Sequence, residues 1–141
     1  MTRAEYIGYL IARTHRFTRK KATKILIEYD FTAPQFGVLR RLHEEDGLPA
    51  KDLVARLFSD SSTIMDIIDR LEEKGFVKRE NRRGVRRENR IFLTRRAKET
   101  IPGVLKQLDE WDQEIRDLLS PLETKALEEG LKKIYKLASE E

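Results

Sequence analysis

The run Ser61-Ser62-Thr63-Ile64-Met65-Asp66-Ile67-Ile68-Asp69-Arg70-Leu71-Glu72-Glu73-Lys74-Gly75-Phe76-Val77 decides the fold. Ile64, Ile67, Ile68 and Leu71 stand at i, i+3, i+4 and i+7, the spacing that lines one face of a helix with apolar side chains. Asp60 lies just ahead of the run, where its carboxylate can accept from the first free N–H groups of Ser62 or Thr63. Gly75 supplies the left-handed residue that stops a helix. After it the period changes. Residues 76–80 and 90–93 are short β-compatible runs, and residues 81–89 between them are polar, basic and broken by Gly84, which reads as a hairpin with a long tip.

Upstream, Thr32 and Gln35 have the spacing of a capping box, and Phe31 and Phe36 that of a hydrophobic staple. They predict a helix with Phe36, Leu39 and Leu42 on its apolar face, ended by Gly47. A short helix over residues 50–57 buries Leu53, Val54 and Leu57. Further upstream, residues 3–28 contain no proline and read as one long helix, basic on its polar side. Downstream of Thr94, the residues Ile101, Val104, Leu105, Leu108, Trp111, Ile115, Leu118 and Leu119 recur at helical spacing. Pro102-Gly103 either kinks that helix or starts its regular part. Ser120-Pro121 opens a last helix with the stripe Leu127, Leu131, Ile134 and Ala138.

Helix, short helix, sharp turn, helix and basic hairpin make a winged helix-turn-helix, so the fold class is mostly α with a small β-hairpin wing. The expected organisation is an N-terminal helix over residues 1–30, a winged lobe over 31–98 and C-terminal helices over 99–141. If Ile64, Ile67, Ile68 and Leu71 face the core, then Ser61, Ser62, Met65, Asp66, Asp69 and Arg70 face outward. With Thr63 at the helix N-terminus, these are the side chains able to meet base edges when such a helix enters a major groove. The tip residues Arg82, Arg83, Arg86 and Arg87 then reach neighbouring backbone or the minor groove.

Charge supports that reading by its distribution rather than its total. The 141 residues carry a net charge of +4. Residues 78–98 hold ten basic side chains against two acidic ones, a balance of +8, which leaves −4 for the rest. Like charges so closely spaced repel unless a polyanion relieves them. Residues 44–76 go the other way, with four basic against nine acidic side chains. The lobe is acidic and only its wing is basic. A second cluster, Arg13, Arg16, Arg19, Lys20, Lys21 and Lys24, lies in the first helix, where Glu5 is the only acid before Glu28.

Four stretches carry a family resemblance: Thr32-Ala33-Pro34-Gln35-Phe36-Gly37-Val38-Leu39, Ser62-Thr63-Ile64, Asp69-Arg70-Leu71-Glu72-Glu73-Lys74-Gly75-Phe76-Val77, and Arg86-Arg87 ahead of Leu93-Thr94. In this order, between long terminal helices, they resemble the MarR family of bacterial transcriptional regulators. The resemblance implies a helical homodimer whose N- and C-terminal helices intertwine, two winged lobes on a palindromic operator in double-stranded DNA, and usually repression relieved by a small-molecule effector. It places that effector between the dimer helices and the lobe. Arg13, Arg16 and Lys20, at 3/4 spacing, then offer a basic wall to a small anionic or aromatic compound; the competing reading of that stripe is a solvated or phosphate-facing surface. The chain departs from the family pattern at Val85, where an Asp usually precedes Arg86-Arg87, and at Ala97, where a Gly is usual. It departs again at Met65-Asp66, where a polar-then-basic pair is usual. Asp66 either accepts from a cytosine amino group or repels phosphate, or else pairs with Arg70 one turn on.

Other chemistry finds little support. There is no cysteine, hence no disulfide, thiolate metal site or thiol switch. His15 and His43 are far apart, so neither a metal site nor a cofactor is expected. No phosphate-cradling glycine loop, nucleophile triad or carboxylate pair is present, which argues against an enzyme. The longest apolar run, residues 6–12, is far below the roughly 18 residues needed to span a membrane. A cytoplasmic, membrane-free protein is therefore expected. The competing class is a winged-helix module for protein–protein interaction, motivated by the acidic lobe and by Asp66.

Overall fold

The structure, a computed structural model, describes residues 1–57, 61–81 and 89–139. In chain order its elements are a 3-10 turn (Arg3–Glu5), α1 (Ile7–Ile27), α2 (Ala33–Glu44), β1 (Leu48–Pro49), α3 (Ala50–Leu57), α4 (Ser61–Glu73), β2 (Val77–Asn81), β3 (Asn89–Leu93), α5 (Arg95–Asp117) and α6 (Pro121–Ser139). The strands form one antiparallel sheet in the order β1-β3-β2, with Val77 opposite Leu93, Arg79 opposite Ile91 and Leu48 also opposite Ile91. The architecture is the mostly helical winged helix-turn-helix that the sequence pattern predicts. Two compact units divide the chain, Met1–Lys106 and Gln107–Glu141.

Local chemistry sets the boundaries of the first unit. The Thr32 hydroxyl accepts from the Gln35 N–H at 3.2 Å, and the Gln35 side chain accepts from the Thr32 N–H at 3.1 Å, which closes the capping box of α2. At the other end of the lobe, α4 stops in a Schellman turn. Gly75 adopts φ +80° and donates to the Glu72 carbonyl, while Phe76 donates to the Leu71 carbonyl at 2.9 Å. Thr94 then joins β3 and α5 to the same turn. Its hydroxyl donates to the Gly75 carbonyl at 2.7 Å and accepts from the Ala97 N–H at 3.2 Å as the cap of α5.

The core of this unit gathers Phe31, Phe36, Val38, Leu39 and Leu42 from the α2 region, Leu53 from α3, Ile64, Ile68 and Leu71 from α4, and Ile91, Leu93, Ile101 and Val104 from β3 and α5. Ile67 is only half-buried, at the rim of the stripe. The Phe31 ring meets Phe36 at 6.1 Å and Phe76 edge-on at 4.8 Å, so the predicted staple extends into a three-ring cluster. The side chains of Val54 and Leu57, and the capping role of Asp60, lie outside the described residues.

Several boundaries differ from expectation for identifiable reasons. The first helix does not start at residue 3, because Glu5 folds back to accept from the Thr2 N–H and Tyr6 is extended before α1 begins. Gly47 does not itself end α2. The helix stops at Glu44, Glu45 is extended, and Gly47 makes the following turn at φ +71°. That turn feeds the two-residue strand β1, which sequence pattern alone did not distinguish from a loop. Asp46 fixes it by accepting from the N–H groups of both Gly47 and Leu93, at 3.0 and 2.9 Å. Helix α5 runs unbroken through Pro102 from Arg95, so the proline does not start its regular part.

In the second unit Ser120 and Glu123 form a reciprocal cap at the start of α6. Arg116 bridges Asp112 at 2.6 Å and Glu128 at 2.8 Å, joining the last turns of α5 to α6.

These contacts predict a graded response to substitution. Ile68→Ala, at a side chain with no exposure, should cost about 2–5 kcal/mol in chemical denaturation. Gly47→Ala should cost about 1–2 kcal/mol or more, because an added Cβ sits 2.7 Å from the Phe92 ring at a positive φ. Glu73→Ala, on the exposed side of α4, should stay within about 0.5 kcal/mol.

Candidate nucleic-acid interface

Helix α4 presents a polar face opposite its buried stripe. Ser62, Thr63, Asp66 and Arg70 are exposed as expected, Met65 is half-buried, and the side chain of Ser61 lies outside the described residues. Ser62, Asp66, Asp69 and Glu73 follow one another at i, i+4, i+7 and i+11, so they form a single line along the middle of that face. Three of the four are acids. The i+4 pairing of Asp66 with Arg70 is not made among the described residues.

The hairpin supplies the counter-charge. Arg79 on β2 points its guanidinium at α4, where one nitrogen donates to Asp69 at 2.5 Å and another to Glu72 at 2.7 Å. The hydrogen bond that Arg79 donates to Asp69 is the main reason its pKa rises further above its already high value. Partial burial opposes that rise, and the Glu72 carboxylate adds to it. The guanidinium is therefore a fixed cation.

Among the described residues, the basic side chains of the cluster over 78–98 are occupied within their own lobe. Besides Arg79, Lys78 pairs with Glu80 at 3.2 Å and Arg95 with Glu99 at 3.1 Å, while Lys98 lies 4.0 Å from Asp46. Arg90 donates to the Gly47 carbonyl at 3.0 Å. Arg96 donates to the Lys74 carbonyl at 2.6 Å with its guanidinium 4.5 Å above the Phe76 ring. Repulsion within the cluster is thus relieved in part by internal carboxylates and carbonyls, partners that charge density along the sequence does not reveal. Arg82, Arg83, Arg86 and Arg87 lie outside the described residues, between the paired ends Asn81 and Asn89 of β2 and β3.

Sequence reasoning counted Arg79 only as one positive charge among ten. Its role depends on strand register, which no local pattern encodes. On α1, Arg13, Arg16 and Lys20 are all exposed on one side of the helix. Among the described residues no group of three or more His, Asp or Glu side chains is placed to share a metal ion.

Comparison with known proteins bears directly on this lobe. The MarR family model matches residues 31–88. The HTH-type transcriptional regulator SarZ of Staphylococcus saprophyticus is 35% identical over 109 residues, covering 74% of this chain and 75% of SarZ. The chain belongs to the MarR family. Its similarity to the HTH-type transcriptional regulator TtmR of Methylorubrum extorquens is 41% over 83 residues, 59% of this chain, and spans only 42% of that relative. Among solved structures, the S. aureus MepR–DNA complex contains a chain that superposes with a TM-score of 0.83 at 25% identity, covering 96% of this chain and 98% of that one. Set beside this MarR lobe, α4 and the β2–β3 hairpin are its candidate nucleic-acid contacts.

Proposed function

We propose that this MarR-family chain is a DNA-binding transcriptional regulator, a homodimeric repressor on a palindromic operator. Helix α4 enters the major groove with Ser61, Ser62, Thr63, Met65, Asp66 and Arg70. The wing arginines Arg82, Arg83, Arg86 and Arg87 contact flanking backbone or minor groove. The observation that carries the reading is the two-sidedness of α4. Ile64, Ile68 and Leu71 are locked into the core, while hydrogen-bonding side chains of its first turns are exposed, in a lobe similar to one solved with DNA. The relatives carry regulator names. Among the described residues no helix is long and apolar enough to cross a membrane, which fits a cytoplasmic regulator.

Support for self-association comes from apolar side chains left in solvent in each unit. Tyr6, Leu10 and Phe17 are 53%, 48% and 63% exposed, and Leu127, Leu131 and Ile134 are 49%, 43% and 46% exposed. Such helical faces are covered when two chains associate through their N- and C-terminal helices. Sedimentation at micromolar concentration should show twice the 16.6 kDa chain mass; a 16.6 kDa species would contradict the dimer.

The acidic line on α4 favours one other reading, a winged-helix module that docks a protein and has no specific duplex affinity. Selection of genomic fragments followed by salt-dependent binding separates the two. On the DNA reading, specific fragments are enriched, and log affinity falls against log salt with a slope of roughly −5 to −9, for about 0.9 per phosphate contact. Arg86→Ala with Arg87→Ala should weaken binding to all sequences and flatten that slope. An unchanged slope would remove those residues from the interface.

For the effector, the exposed Arg13, Arg16 and Lys20 support an anionic, aromatic ligand. Aromatic carboxylates should raise the thermal midpoint beyond salt controls, and Arg13→Ala with Arg16→Ala should abolish the rise. Equal shifts with salt alone would leave the stripe a solvated surface.

A further inference from the structure

The centre line of α4 is a poor surface for nucleic acid as it stands. Asp66, Asp69 and Glu73 lie on it, with Glu72 beside them, and duplex DNA carries one negative charge per roughly 1.7 Å of axis. A bare row of carboxylates set against that density is repelled. The repulsion acts at every sequence, because phosphates carry no sequence information.

Arg79 engages two of these four carboxylates and offsets one unit of their charge. It reaches from β2 with its side chain 22% exposed and divides its two terminal nitrogens between Asp69 and Glu72, whose own side chains are 55% and 43% exposed. A planar guanidinium suits this task, since its fork can satisfy two carboxylates one helical turn apart, whereas an ammonium is a single point charge. Asp69 and Glu72 stand at i and i+3 on α4, and Arg79 lies opposite Ile91 in the middle of the hairpin. The fork therefore also fixes the base of the wing against the recognition helix. Asp66, one turn nearer the N-terminus of α4, has no such cation among the described residues.

We propose that Arg79 is a charge-masking residue: it pairs with both Asp69 and Glu72 and offsets one of their two charges so that α4 can lie against a polyanion, acting through those two carboxylates and not by touching DNA. This rests on the DNA-binding reading above. Masking has an electrostatic signature that a purely structural clamp lacks. The carboxylates uncovered by removing Arg79 repel phosphate through solvent, so the defect shrinks as added salt screens them.

The test measures binding of the full chain to a double-stranded genomic fragment enriched by the wild type, across a potassium chloride series, with thermal unfolding followed alongside. Arg79→Met should weaken binding on the order of tenfold at low salt, and the gap should narrow as salt rises. Arg79→Lys should fall between. Adding Asp69→Asn and Glu72→Gln to Arg79→Met should restore binding to within about threefold of wild type, because no charge is left to mask. A neutral triple variant as weak as Arg79→Met, or a gap that does not change with salt, overturns masking. Should Arg79→Met fail to fold, Asp69→Asn with Glu72→Gln carries the test. Masking predicts tighter binding than wild type, since Arg79 is then an uncancelled cation near phosphate; weaker binding overturns it. A wild-type chain with no duplex affinity removes the DNA-binding reading and this proposal together. Normal wild-type binding with an unaffected Arg79→Met removes the proposal alone.

Discussion

The turn from Lys74 to Phe76 is the constraint on which the first unit depends. Gly75 must take a positive φ for the Schellman hydrogen bonds to close, and that conformation costs any residue with a Cβ. Once closed, the turn aims Phe76 into the ring of Phe31 and under the guanidinium of Arg96. Lys74, one residue earlier, donates to the backbone carbonyl of Asp30 at 2.6 Å and to Gln35 at 3.2 Å. The same three residues thereby fix the end of α4, the start of β2, the elbow between α1 and α2, and, through Thr94, the first turn of α5. Asp30 at that elbow is itself held at φ +59°, an unusual conformation for a side-chain-bearing residue that the surrounding contacts maintain.

Because these links converge on one end of α4, its other end and its solvent face are left to function. A helix anchored by Ile64, Ile68 and Leu71 on one side and by a stitched turn at its C-terminus is a rigid support for Ser62, Thr63 and Asp66. Rigid presentation matters for base readout, where a hydrogen-bonding side chain must meet a groove edge without a further ordering cost. The acidic composition of the lobe then becomes intelligible. Several carboxylates serve internal geometry: Asp46 ties the α2–β1 turn to β3, and Asp69 and Glu72 hold Arg79. The lobe's net charge is therefore a poor guide to how much of that charge stands unpaired on α4.

What the sequence made legible was local. The Thr32/Gln35 box, the Phe31/Phe36 staple, the stripe on α4 and the glycine stop each lie within a span of about ten residues, and each appears in the structure where its chemistry predicts it. The features that escaped are those decided at long range. Leu48 and Pro49 join a sheet only because β3 lies beside them, and Arg79 meets α4 only through strand register. Likewise Arg90, Lys98 and Arg96 meet their partners at Gly47, Asp46 and Lys74 only through tertiary contact. The break at Tyr6 was hidden for another reason, since a short side chain-to-backbone closure at Thr2 competes with a helical pattern that reads as continuous.

On the proposed function, α4 and the wing, rather than the basic face of α1, meet nucleic acid. Amide-resolved NMR of the full chain, recorded before and after addition of an enriched genomic duplex, tests this directly. Perturbations concentrated over residues 61–66 and 82–87, with the core of the first unit unchanged, are the result predicted. A duplex that shifts the amides of residues 13–24 and leaves α4 and the hairpin untouched would place the contact on α1 instead.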